Sequence, residues 1–210
     1  MTTTQPSPTA DDLRRAVDAV LPLVASVSDD DWDRTAHGLE WTCRETVAHL
    51  MDDFAAYAMQ LSGATPPQNR YVDLEEAARV RADGPAFLIL PMRESGTAGI
   101  VEALDATAGL LVAVTATAPP ERRGYHPYGL ADASGFAAMG MVECVLHAWD
   151  VLTAQDIAYA ADPDLCAAVL DRLFPELDRS TDPWHDLLAA TGRTPETRGT
   201  RWRWDSSVRG

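Results

Sequence analysis

Gly135–Leu152 reads GFAAMGMVECVLHAWDVL, and this stretch decides the fold. It is apolar nearly all round, as a helix must be when it lies inside a bundle and not on its surface. The pattern predicts a helix from about Ser134 to Ala154. Three strongly polar residues interrupt it: Glu143, His147 and Asp150, spaced i, i+4, i+7 and so projecting from one stripe. A carboxylate buried alone costs several kcal/mol or takes up a proton, so the stripe needs a partner. A cation would serve. Glu143 and His147 stand one turn apart, roughly 6 Å along the axis, which lets both side chains converge on one ion. Gly140, a turn earlier, is expected to leave room above it. The same spacing equally suits a charge pair that holds the helix without any metal, and spacing does not choose between the two.

Other helices follow from the flanking sequence. Leu13, Val17, Val20, Leu21, Val24 and Val27 form one amphipathic stripe, with Pro22 expected to kink or interrupt it. An acidic loop, Ser28–Asp31, leads to Trp32. Thr42-Cys43-Arg44-Glu45 is a capping box, after which Val47, Leu50, Met51, Phe54, Ala58 and Leu61 line one helical face. Gly63, Pro66 and Pro67 end that helix. A short helical piece is expected around Leu74–Arg81. Ile100, Leu104, Leu111 and Val114 mark a third long helix, closed by Pro119-Pro120. Shorter helices are expected near Asp164–Phe174 and Pro183–Gly192. Period-two alternation is nearly absent. The expected fold is therefore all-α: a four-helix bundle over 11–194, with short accessory helices. A loose, disordered tail is expected over 1–10, and an extended C-terminal tail over 195–210 is expected to pack on the bundle.

Composition narrows the function. Thirty-two acids against seventeen bases give a net charge of −15 over 210 residues, and every base is Arg. Such a field repels phosphate backbones and anionic lipid, which argues against nucleic-acid or membrane partners. The polar N-terminus lacks a basic, apolar leader, so the expectation is a soluble, cytoplasmic protein. Cys43, Cys144 and Cys166 are widely spaced, which argues against a disulfide framework or a Cys-based zinc cluster. Arg201-Trp202-Arg203-Trp204 is the one basic–aromatic cluster. Against the overall charge it reads as a tail whose tryptophans pack on the bundle with Arg stacked on them.

A third ligand is needed for a tight site. His37, His49, His126 and His185 are available. A helical wheel places His49 opposite the Val47/Leu50/Phe54 stripe, among Glu45, Asp53 and Gln60, on what periodicity reads as a solvated face. His126 and Tyr128, in the HPYG turn before the fourth helix, are candidate substrate contacts. Asp150 is a candidate for holding a ligand histidine by a hydrogen bond. Trp32 and Trp41 read as packing residues, and Cys144 as a small core residue off the metal stripe.

The segment WTCRETVAHL (Trp41–Leu50), followed much later by VECVLHAWD (Val142–Asp150) and by LLxxxGR (Leu187–Arg193), resembles the DinB/YfiT-like superfamily. Within it, the similarity is to the N-terminal domain of mycothiol-dependent maleylpyruvate isomerases. The resemblance implies a four-helix bundle whose divalent metal is held by a histidine on the second helix and an E-x-x-x-H on the fourth. Carried onto this chain, these are His49, Glu143 and His147. The polar face of the second helix is then expected to line a cavity. The resemblance also implies a low-molecular-weight thiol, mycothiol, as cosubstrate with a small electrophile. The isomerases carry a second domain after the bundle, whereas this chain ends soon after Arg193, and single-domain relatives are often assigned as thiol S-transferases.

Two histidines and one carboxylate suit zinc first, and nickel or ferrous iron also. The leading expectation is a metal-dependent thiol S-transferase or isomerase acting on a small-molecule substrate. The alternatives are a metal-dependent hydrolase, or a non-catalytic metal-binding or stress protein. A homodimer is compatible with the sequence.

Overall fold

A computed structural model describes residues 7–198 and 202–208. Among these residues the chain is all helical: α1 (Ala10–Val24), α2 (Cys43–Ser62), α3 (Gly96–Thr117), α4 (Ala133–Ala154), α5 (Pro163–Leu173) and α6 (Pro183–Ala190). Single 3-10 turns stand at Asp29–Asp31 and Arg93–Ser95, and among the described residues there are isolated bridges but no strands. The four long helices form a bundle in which α4 packs against α1, α2 and α3, and α5 covers a further part of it. That contact on every side explains why α4 is apolar all round. By length and composition both α3 and α4 pass for membrane spans, but α4 is the buried core helix.

Local chemistry sets the ends of the elements. Thr9 caps α1 and pairs reciprocally with Asp12, so the chain is helical from Ala10. The loose tail expected over 1–10 is thus not seen at Thr9 and Ala10, and residues 1–6 lie outside the described residues. Pro22 does not interrupt α1. It falls in the last turn, and the helix ends two residues later at Val24. The acidic loop reaches the N-terminus of α3: the Asp29 carboxylate accepts from the Thr97 N–H at 2.6 Å. Gly140 does not leave room for an ion. A Cβ there would stand 2.7 Å from Leu111 Cδ2 and 3.1 Å from Leu13 Cδ1, so this glycine lets α1 and α3 close onto α4.

The short helix expected at Leu74–Arg81 is absent. That segment belongs to an extended connection over 64–95, held across α2 by polar side chains. Gln60 Nε2 donates to the carbonyls of Pro67 and Arg70, and Gln60 Oε1 accepts from Val72 N–H at 2.9 Å. Asp52 accepts from Leu88 and Ile89 N–H at 2.8 and 2.7 Å, and Glu45 accepts from Arg81 at 2.8 Å. A fixed chain satisfied by partners on another helix has no need of its own helical hydrogen bonds. The face of α2 that periodicity reads as solvated is thereby roofed: Glu45 and Gln60 are fully buried, and Asp52 nearly so.

Glu45 also completes the capping box with Thr42. Burial alone would push its carboxyl up, but the bonds and charge of Arg81 and the Thr42 N–H hold it below its ordinary value. A depressed folded value means that the stabilisation is present above the unfolded carboxylate range and is lost as pH falls through the folded value. Glu45→Gln should accordingly lower the denaturation midpoint at pH 7 and have a smaller effect at pH 3, read by urea melts at both values.

The C-terminal tail packs on the bundle, as far as residues 202–208 describe it. Asp205 N–H donates to Leu173 C=O and Ser206 N–H to Tyr128 C=O, both at 2.9 Å, and Trp204 is buried. Arginine–aromatic stacking is present but with other partners than the cluster's own: Arg203 lies over the Tyr128 ring at 5.0 Å, and Trp202 is covered by Arg193 at 5.4 Å. Arg201 lies outside the described residues.

Candidate metal centre

His49, Glu143 and His147 come together although the first is 94 positions from the second in the chain. Their donor atoms lie within 4.8 Å of one another, and the two imidazoles stand 5.1 Å apart between ring centroids at 73°. The capping box at Thr42 fixes where α2 starts, which sets the phase that turns His49 toward α4. The stripe on α4 does the rest.

His147 is gripped on both ring nitrogens. Its Nε2 lies 3.1 Å from Glu143 Oε2, and its Nδ1 lies 3.0 Å from Asp150 Oδ2. Arg193 closes on Asp150 from behind, Nε to Oδ1 at 2.8 Å and a terminal nitrogen to Oδ2 at 2.6 Å. Burial would raise the Asp150 carboxyl, but His147 and Arg193 hold it low, so it stays ionised. An ionised Asp150 accepts from Nδ1–H, which leaves Nε2 as the nitrogen that faces Glu143 and His49. Burial pulls the His147 pKa down, yet the two flanking carboxylates dominate and raise it to about 9. His49 behaves oppositely. Burial and the neighbouring His147 charge push it down to about 4, so it is a neutral imidazole able to donate a lone pair.

Whether a cation fits can be judged from the polar atoms left over. Glu143 is buried, and its Oε2 has no hydrogen bond. The short approach of His147 is an ion-pair distance that misses hydrogen-bond geometry. Asp53 Oδ2 is likewise buried without a hydrogen bond, 3.3 Å from His49 Nε2. Two unsatisfied carboxylate oxygens beside two imidazoles are the donor set that a divalent cation completes.

Two cavities open onto the cluster. One, of about 430 Å³, lies beneath the 64–95 connection and is lined by His49, Glu143, Asp53, Tyr57, His126 and Trp204 among others. The other, of about 500 Å³, reaches all three residues of the cluster and includes Trp41, Tyr128, Arg193 and Trp202. The expected cavity beside α2 is thus present.

The remaining candidates fall into place around these cavities. His126 lines the first and Tyr128 the second. His126 is stacked on Trp204 at 5.3 Å, its Nδ1 accepts from the Tyr128 N–H, and burial lowers its pKa to about 4. Asp150 lines neither cavity. It sits behind His147 and orients that ring, a positioning arrangement without access to a substrate in these two cavities. Trp41 meets His49 edge-on at 5.1 Å at the cavity wall, whereas Trp32 is core, its indole N–H donating to Thr97. Asp53 and Arg193 carry more of the site than sequence reasoning assigned them. The signal for Asp53 was its i+4 spacing from His49, the same spacing that links Glu143 and His147.

An all-helical bundle with a largely buried two-histidine, one-carboxylate cluster, His49 being half-exposed to the cavities, defines the class of protein. Residues 13–152 match the family model for the mycothiol maleylpyruvate isomerase N-terminal domain, and the chain belongs to this family. No significant match was found among curated proteins or among solved structures.

Proposed function

We propose that this protein is a divalent-metal-dependent enzyme that joins a low-molecular-weight thiol of the mycothiol type to a small electrophile, as an S-transferase. One observation carries the reading: in a family named for a mycothiol-dependent isomerase, three donor side chains converge in a pocket whose buried Glu143 oxygen lacks a hydrogen bond. His49, Glu143 and His147 would hold the ion, zinc being the metal that this donor set suits first. When bound, the ion supplies a positive centre that favours the ionised form of a thiol or water brought to it.

The chain's own groups prepare the rest. Asp150 and Arg193 hold His147 in one orientation. Trp41, Tyr128 and Trp202 give the wider cavity aromatic walls against which a polar cosubstrate can lie. The chain's own cysteines are poorly placed as nucleophiles. All three are buried, and burial raises the Cys144 and Cys166 thiols to about 12, which supports a sulfur supplied from solution. In the transfer the thiol gives up its proton and its sulfur pair forms the new C–S bond. The carbon–leaving group bond breaks, and the leaving group departs with that bonding pair.

The test is elemental analysis of protein purified without chelators, followed by thiol titration in the presence of 1-chloro-2,4-dinitrobenzene. Stoichiometric metal with metal-dependent thiol loss and chloride release is the expected result. Metal-dependent turnover without any thiol would assign the site to hydrolysis instead. Metal-free protein that takes up no added zinc would overturn the reading.

A further inference from the structure

A groove of about 480 Å³ runs between α2 and α3, bounded by Ala55, Ala58 and Ser62 on one side and Leu110 and Val114 on the other. Its walls are hydrocarbon, and no ionisable side chain lines it. Ser62 supplies the one hydroxyl, which donates to the Met59 carbonyl of its own helix at 3.2 Å. Met59, Leu74 and Leu110, three of the six large apolar side chains exposed among the described residues, gather on this groove. Exposed apolar residues scattered singly need no explanation, but a cluster of them marks a binding surface.

What the groove binds follows from where it leads. Met59, Leu74 and Leu88 line both the groove and the cavity beneath the 64–95 connection, which reaches His49 and Glu143. Of these, Met59 is unbranched and 37% exposed, a side chain able to swing aside without disturbing the core. Small residues stand on either side of it along α2: Ala56 lines the cavity, and Ala55 and Ala58 line the groove.

We propose that groove and cavity form one binding site, in which the groove receives the hydrocarbon tail of an electrophile whose reactive carbon lies at the metal cluster. The inference rests on the thiol-transfer reading and names its substrate class: an amphiphilic electrophile with an uncharged alkyl or aryl tail. Ala55 to Ser62 spans roughly 10 Å along α2, which suits a tail of about eight carbons. The tail carries no acceptor that needs a partner, because the groove offers no free side-chain donor.

The experiment is calorimetric titration of the protein as purified, without thiol, using 1-butanol, 1-hexanol and 1-octanol, with sedimentation velocity on the same samples. Affinity should rise by about 2- to 4-fold for each added methylene, the upper figure being complete burial. Leu110→Glu sets a charge in the groove at an exposed position whose replacement spares the core. It should weaken 1-octanol by at least about 10-fold and leave 1-butanol, short enough for the inner cavity, within about 2-fold. Ala56→Phe fills the cavity instead and should weaken both alcohols. A series flat in chain length would overturn the proposal, as would 1-octanol binding indifferent to Leu110→Glu. Full 1-octanol affinity in Ala56→Phe would make the groove a separate site and overturn it too. So would a dimer that Leu110→Glu converts to monomer, with 1-octanol bound by neither, since a second copy would then cover the groove. Failure of the thiol-transfer reading would look different: missing metal or no thiol consumption, with the dependence on chain length intact.

Discussion

His49→Ala, Glu143→Ala and His147→Ala should each strip the protein of metal, while His185→Ala leaves metal content unchanged. Each replacement leaves two donors where a tight site needs at least three. The loss in zinc affinity should exceed the roughly 10- to 100-fold that changes outside the ligand set usually cost. Elemental analysis after dialysis against zinc reads the result directly. The fold should survive in all three, because stability in a bundle of this size comes mainly from apolar burial around α4. His185 is exposed on α6 and is the fitting control. Full metal occupancy in His49→Ala would remove α2 from the site and leave the cluster as an arrangement of packing alone.

The contrast between His49 and Glu143 shows how far the sequence could be read. Glu143, His147 and Asp150 were legible because they break an apolar helix, and only a buried helix is apolar all round. The bundle was legible for the same reason, together with the Thr42 capping box and the helix-ending prolines. His49 was not legible from periodicity, because the face it occupies carries Glu45, Asp52, Asp53 and Gln60. Those residues read as solvent-facing until the 64–95 connection is laid over them. That connection is held by Gln60 and Asp52 through bonds to backbone groups, and by Glu45 through the Arg81 side chain, up to 37 positions away. Such long-range satisfaction leaves no local period, which is also why Leu74–Arg81 passed for a helix. His49 was reached through the family motif instead. Gly140 misled in a different way: small size beside a polar stripe reads as space for an ion, but the space is filled by Leu13 and Leu111 from neighbouring helices.

Arg193→Ala should be among the most destabilising single replacements in the molecule, although Arg193 belongs to the wall of the wider cavity and not to the apolar core. Asp150 is 1% exposed in its side chain and Arg193 8%, and the two are joined by paired, charge-assisted bonds. Removing the guanidinium leaves a buried carboxylate with His147 as its remaining side-chain partner, and breaking such a pair typically costs about 3–5 kcal/mol. The loss of Arg193 from the Trp202 face adds to this. Urea denaturation with chelator present, at pH 7, isolates the effect from any stabilisation by bound metal. The double variant Arg193→Ala/Asp150→Asn should recover much of the loss, because the uncompensated charge is gone. Asp150→Asn by itself should act on the site more than on the fold, weakening zinc binding by about 10- to 100-fold through a less firmly held His147 ring. If Arg193→Ala costs under about 1 kcal/mol, the pair behaves as a solvated surface bridge. His147 would then be positioned by packing alone, and the order of effects on zinc affinity among Arg193, Asp150 and the three cluster residues would have to be explained without it.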